Sequence, residues 1–232
     1  MIAENFQYFG SKDGDRYFEG TTAFQGCSAL KSITIPRDIP FLGNYQFYGC
    51  TSLESITLNE KLEFIGNSAF NGCTRLESID LPANDTIIRD KAFEGCTSLK
   101  HLNIPEKSQL ETIGSAFLSG CTLETLTLNG KANLSYTMLD GVFKGCKLNT
   151  LIIAGETKLR ENALGNNTEI GTLKILHADE NSISDKFIKE SAAANMNLVL
   201  HQNWFNKTGG WDTNGNPSPR SLSMPMAMFP IL

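Results

Sequence analysis

The side chains best suited to chemistry are six cysteines, Cys27, Cys50, Cys73, Cys96, Cys121 and Cys146, which are every cysteine of the 232-residue chain. They follow one another at intervals of 23, 23, 23, 25 and 25 residues. Cysteines can form disulfides, hold zinc or act as nucleophiles, and the spacing discriminates among these. On adjacent rungs of a parallel sheet they would lie about 4.8 Å apart, inside the Cα range that a disulfide accepts. Equivalent side chains on successive rungs point the same way instead of converging, so a disulfide torsion near about 90° would distort the stack. A regular row offers no tetrahedron, and no Cys-x-x-Cys pair is present for zinc. Buried free thiols acting as small hydrophobes are expected.

Other reactive groups are sparse. His101, His177 and His201 are the only histidines, and none has a ligand-spaced partner or a neighbouring nucleophile motif. Glu54 and Glu77 occupy equivalent places one interval apart, where two carboxylates would sit about 5 Å from each other, as in a retaining glycosidase. A flat, wet surface cannot raise the pKa of one of them, so they read as a solvated stripe. Asp212-Thr213-Asn214-Gly215-Asn216 begins like a calcium loop, but Ser223 stands where a bidentate Glu is required. No Gly-rich phosphate loop, Gly-x-Ser-x-Gly elbow or His-Glu-x-x-His motif occurs. No catalytic residue, metal ligand or cofactor is assigned, and the chain reads as non-enzymatic.

The elements that position the cysteines are repeats. Each cysteine closes a pentad: Ala23-Phe24-Gln25-Gly26-Cys27, Gln46-Phe47-Tyr48-Gly49-Cys50, Ala69-Phe70-Asn71-Gly72-Cys73, Ala92-Phe93-Glu94-Gly95-Cys96, Phe117-Leu118-Ser119-Gly120-Cys121 and Val142-Phe143-Lys144-Gly145-Cys146. The fifth carries one extra residue between its Ala116-Phe117 pair and its glycine. The glycine suits a tight turn at positive φ. Next come apolar triads, Leu30/Ile33/Ile35, Leu53/Ile56/Leu58, Leu76/Ile79/Leu81, Leu99/Leu102/Ile104, Leu123/Leu126/Leu128 and Leu148/Leu151/Ile153. Their last two members alternate with period two, as in a short half-buried strand. Pro36, Pro82 and Pro105 end the ladder. A third block, Ile39 to Gly43, Leu62 to Gly66 and Leu110 to Gly114, returns the chain to the next Ala-Phe pair. Such a coil cannot bury its apolar face alone, so about seven repeats must stack around one core with a parallel sheet along one side.

The pattern Ala-Phe-x-Gly-Cys-x-x-Leu-x-x-Ile-x-Ile-Pro resembles the BspA-like, or Treponema pallidum-type, leucine-rich repeat. The resemblance covers Thr22 to Ile175 and drifts after Cys96. The strands at Leu123 and Leu148 begin one residue sooner after their cysteines. The next copy keeps only Ala163-Leu164 and Ile170/Leu173/Ile175, with no Gly-Cys pair. The expected fold is a leucine-rich-repeat solenoid, a right-handed superhelix of short parallel β-strands and turns with little helix outside a C-terminal cap. The resemblance also implies a surface-exposed or secreted protein acting in adhesion or protein binding.

Solenoid ends must cover an open apolar rung. Residues 1–22, with Phe6, Tyr8, Phe9, Tyr17 and Phe18, suit an N-terminal cap, and residues 23–175 carry the repeats of about 23–25 residues. Residues 176–206 read as a C-terminal cap, with a capping box at Ser182-Ile183-Ser184-Asp185, a helix from Asp185 to Asn195 and a strand from Leu198 through Trp204. Residues 207–232 read as a loosely ordered tail or linker.

On the outward side of each strand stand small polar residues, and Ser78, Asp80, His101, Asn103, Thr125, Thr127, Thr150 and Ile152 form the candidate binding face. The row Cys27 to Cys146 and the aromatic row Phe24, Phe47, Phe70, Phe93, Phe117 and Phe143 are structural. Without aromatic or Arg anchors, binding at this face should be weak, wet or multivalent, to a protein or glycan ligand. A net charge of −5 gives no field for a phosphate backbone, so nucleic acid is not an expected partner. No apolar run approaches the roughly 20 residues of a membrane span, so no membrane insertion is expected, and the chain is expected to be monomeric. The first functional expectation is an extracellular or cell-surface interaction module. The alternative is a structural spacer that presents or links another domain.

Overall fold

The computed structural model describes residues 12–13, 16–17, 22–84, 86–108, 110, 112–129, 141–154, 163, 165, 167–176 and 197–200. The cap helix, His177, His201 and the tail lie outside the described residues. Strands β1 (Lys12–Asp13) and β2 (Arg16–Tyr17) pair antiparallel. Two alternating series of parallel strands then wind around one core. The first series is β3 (Ser32–Thr34), β5 (Ser55–Thr57), β7 (Ser78–Asp80), β9 (His101–Asn103), β11 (Thr122–Leu128), β12 (Lys147–Ile153), β13 (Glu169–Ile175) and β14 (Asn197–Leu200). The pairs β3–β5 and β7–β9 and the row β11–β12–β13–β14 are hydrogen-bonded, while β5 packs beside β7 and β9 beside β11.

The second series corrects the expectation of a sheet on one side only. The third block does more than return the chain: β4 (Phe41–Leu42), β6 (Phe64–Ile65), β8 (Ile87–Ile88) and β10 (Thr112–Ile113) form a four-stranded parallel sheet of their own. Leu42, Ile65, Ile88 and Ile113 are its fully buried members. Three of these strands are two adjacent apolar residues and β10 is Thr-Ile, each too short a run to show period two.

The triads bury as their spacing requires. From Leu76 to Ile153 every member is buried, and only Leu30 and Leu58 are half-buried. In the early copies the two residues between Cys and Leu make a turn closed by the Leu N–H on the Cys carbonyl, as in Leu53 to Cys50 at 3.0 Å. Thr122 is a lone spacer, so that turn is lost and the ladder extends instead, with Lys147 N–H donating to Cys121 O at 3.0 Å. One deleted residue thus turns a three-residue strand into the seven-residue β11.

The glycine before each cysteine has φ between 69° and 77°, the left-handed conformation that a side chain resists. The carbonyls of Phe24, Phe47, Phe70 and Phe93 each accept from two donors, because each faces the cysteine of its own rung and that of the next. Phe70 O accepts the Cys73 N–H at 3.0 Å and the Cys96 Sγ–H at 3.1 Å. Cys50, Cys73 and Cys121 repeat the thiol contact on Phe24, Phe47 and Phe93 at 3.0–3.2 Å. All six cysteines are free, and all are buried except the half-buried Cys27 on the first rung. Phe24, Phe47, Phe70 and Phe93 stack with centroids 5.2–5.3 Å apart and planes within 12°.

The register also corrects the fifth copy. Ala116 has the positive φ of Lys91, and Cys121 N–H bonds to Leu118 O as Cys96 N–H bonds to Phe93 O. Leu118 therefore takes the ring's place, Phe117 takes that of Ala92, and the pentad holds no extra residue. Phe117 meets Phe143 edge to face at 6.2 Å. The two added residues lie elsewhere: β7 to β9 is an offset of 23, whereas β8 to β10 is 25. They fall between Asn103 and Thr112. In the seventh copy the missing Gly-Cys pair is replaced in kind. Asn167, at φ 58°, fills the glycine's place, and Thr168 Oγ1 donates to Phe143 O at 2.8 Å as the cysteines do.

Candidate functional site

The outward residues form two rows because period-two alternation sends their neighbours into the core. Parallel pairing puts Ser32 beside Ser55, Ser78 beside His101, and Thr125 beside Thr150 and then Thr172. The second row pairs Thr34 with Thr57, Asp80 with Asn103, and Thr127 with Ile152 and then Lys174. Ser78, Asp80, His101, Asn103 and Thr125 are exposed, whereas Thr127, Thr150 and Ile152 are half-buried.

At the centre, Asn103 Nδ2 donates to Asp80 Oδ1 across the rungs. The carboxylate's other oxygen and the amide carbonyl remain able to accept, and His101 is exposed on the same strand as Asn103, so the group can donate and accept hydrogen bonds. Glu54 is exposed and loosely paired with Arg75 at 3.8 Å, and Glu77 is exposed on the next rung. Both remain surface charges. Among the described residues no three His, Cys, Asp or Glu side chains come together to hold a metal, and no helix is long and apolar enough to cross a membrane.

The thiols are chemically quiet. Burial pushes Cys50 up from 9.0 to about 11 and Cys73, Cys121 and Cys146 up to about 12. Cys96 is raised well above 9.0, by burial first and then by the neighbouring thiols Cys121 and Cys73. Thiolate is the nucleophile, so these five are poor ones.

Sequence reasoning passed over one cluster, at the pentad edge. Tyr45 and Tyr48 are exposed, 45% and 40%, and meet edge to face with centroids 5.9 Å apart. One rung on, Asn71 Nδ2 donates to Glu94 Oε2 at 2.7 Å, and Lys91 Nζ stands 3.8 Å from the same oxygen. The signal was available: Tyr-Gln-Phe-Tyr departs from the Ser-Ala-Phe-Asn and Lys-Ala-Phe-Glu of the next two copies.

Comparison with known proteins agrees with the geometry. No curated protein gives a significant match. Among solved structures, a leucine-rich repeat protein from Bacteroides ovatus superposes with a TM-score of 0.52 at 22% identity, over 77% of this chain and 50% of that one. This chain thus spans half the length of that protein. A leucine rich repeat protein of T. pallidum gives 0.47 at 23% identity, over 73% and 86% of the two chains. A leucine rich cell surface protein from Faecalibacterium prausnitzii gives 0.41 at 14% identity, over 83% and 68%. At these identities the likeness is one of fold alone. Residues 20–138 match the BspA type leucine rich repeat region in six copies. A match over more than half of the chain, carried by the same Phe, Gly, Cys and Leu places that build the rungs, means that the chain belongs to the BspA-type leucine-rich-repeat family.

Proposed function

We propose that this chain is a non-enzymatic interaction module of the cell surface or extracellular space, binding a protein or glycan partner through the outward rows of its long parallel series of strands. The observation that carries the reading is the break in the hydroxyl ladder at Asp80, His101 and Asn103. Rungs on either side repeat Ser or Thr, which favour strand formation and need no further reason. Here the rungs instead present a carboxylate, an imidazole and an amide, all exposed, with Asp80 and Asn103 already ordered by their mutual hydrogen bond. Ordering before contact lowers the entropy cost of binding. With no large anchor on the face, affinity is expected to come from repetition along the rungs.

The test is a pull-down and glycan-array screen with the intact chain, followed by Asp80→Ala, His101→Ala and Asn103→Ala in combination. Binding should fall while the thermal midpoint hardly moves, since exposed substitutions usually change stability by about 0.5 kcal/mol or less each. Leu99→Ala is the control: it removes a fully buried side chain and should cost about 2 to 5 kcal/mol, lowering binding only as the protein unfolds. Full affinity in the triple variant would remove the site from this face. If no partner binds the wild type, the alternative gains, namely a spacer whose repeats only hold other domains apart.

A further inference from the structure

The rungs are copies of one another, so each is a control for its neighbours, and the second rung departs from the rest at a cost to the fold. Tyr45 has φ 57°, the left-handed conformation that Ser68, Lys91 and Ala116 share at the same place on the next three rungs, so the backbone there belongs to the turn and only the large ring is peculiar to this rung. That ring is exposed. Gln46 is fully buried where the next two rungs have Ala69 and Ala92, and neither its Nε2 nor its Oε1 has a partner. Tyr48, three residues after Tyr45, is exposed in turn. A buried amide without a partner does not serve stability, so the second rung calls for another explanation.

The surroundings say what that is. Tyr45, Ser68 and Lys91 stand in register on successive rungs, as do Tyr48, Asn71 and Glu94. Ser68 is small and only 6% exposed between two large neighbours, so the edge dips there by one side chain. The dip is walled by Tyr45 on one side and Lys91 on the other, two rungs or about 9.6 Å apart. Beside it the Asn71 amide and the Glu94 carboxylate are already joined and half-exposed, a planar array with free acceptor and donor positions. Lys91 balances the charge of Glu94, so the cluster is neutral.

We infer that this edge is a second binding site, separate from the sheet face, for an uncharged saccharide. An aromatic ring face is electron-rich and packs against the weakly positive C–H face of a pyranose. Vicinal hydroxyls match a neighbouring amide and carboxylate, each hydroxyl both giving and taking a hydrogen bond. A neutral cluster offers no advantage to a sulfated or sialylated sugar. A proline-rich peptide would need a groove ribbed by aromatics over successive turns, and only one pair stands here.

The experiment is isothermal titration calorimetry of the full chain with three probes: cellotetraose, chitotetraose and β-1,4-mannotetraose. At least one should bind saturably. The double variant Tyr45→Gly, Tyr48→Ser should lose at least about tenfold in affinity, as truncated aromatic anchors do. Its thermal midpoint should not fall through position 45, because glycine relieves the left-handed strain there. Asn71→Ala should weaken binding, whereas Glu106→Ala, at an exposed position outside both sites, should bind sugar as the wild type does. No saturable binding by any probe at millimolar concentration, or binding that survives the double variant, overturns the site. Octaproline bound through the same tyrosines in place of sugar overturns the ligand class.

Discussion

Raising the pH should unfold this protein abruptly, and the thiol row sets where. Burial holds Cys73, Cys121 and Cys146 at about 12 and Cys50 at about 11, against 9.0 for an exposed thiol, and it raises Cys96 in the same direction. The folded values exceed the unfolded ones, so the unfolded chain gives up these protons first. The stability they contribute is complete below pH 9 and is lost as pH climbs toward 12. Between those limits each thiol costs somewhat over about 1 kcal/mol per pH unit, so five together cost roughly 7 kcal/mol by pH 10 and roughly 10 by pH 10.5. Domains have about 5–15 kcal/mol in total, which places the alkaline midpoint between about pH 9.6 and about pH 11.4. Denaturant titrations at intervals from pH 8 upward, under reductant and without oxygen, give stability as a function of pH. The decisive comparison is the double variant Cys73→Ser, Cys121→Ser. Serine donates the same hydrogen bond to the phenylalanine carbonyl and does not titrate in this range. The slope above pH 9 should fall by about two protons, from roughly 7 to roughly 4 kcal/mol per pH unit, whatever happens to the absolute stability. An unchanged slope would falsify the claim that these thiols are buried and protonated.

Thiol titration of the native protein should find one reactive cysteine, Cys27, ahead of the five that are fully buried, and all six after denaturation without reductant. Fewer than six in the denatured protein, with handling oxidation excluded, would mean a disulfide that the parallel row forbids. Gln46→Met keeps the volume and removes an unpaired buried amide, so it should stabilise the fold by about 1 to 3 kcal/mol, or several degrees in Tm. A loss of stability in that variant would show that the amide is satisfied by ordered water.

The strands of the long series were legible because each sends one aliphatic residue in and its neighbours out, as at Ser55-Ile56-Thr57. The glycine turns were legible because glycine alone takes positive φ without steric cost, whereas Tyr45, Ser68, Lys91 and Ala116 hold a like conformation that no residue type announces. The second sheet was not, since Phe64-Ile65 is two apolar residues long and looks the same in a turn as in a strand. Nor was the fifth pentad, where Ala116-Phe117 imitates the usual pair one place too early and Leu118 fills the ring's place. Asn167-Thr168 hid for a different reason. The position demands a left-handed backbone and a hydrogen-bond donor, and the letters Gly and Cys are only the commonest way to supply them. The outward face was legible by alternation, and Tyr45-Gln46-Phe47-Tyr48 could have been singled out as a break in the pentad pattern, but the exposure of both rings and their contact are visible only in the structure.

The two residues gained between Asn103 and Thr112 leave the second sheet in register, with Thr112 and Ile113 still paired to Ile87 and Ile88, because the step between hydrogen-bonded strands is indifferent to the circumference of the coil. Length along the axis is therefore counted in rungs. From β3 to β14 there are seven such steps, roughly 34 Å at the usual interstrand spacing, and enlarging a coil at that corner would not change it. The molecule is a ruler whose graduations can be widened sideways, so that corner is where a tag or a foreign loop could be spliced without moving any mark on the scale.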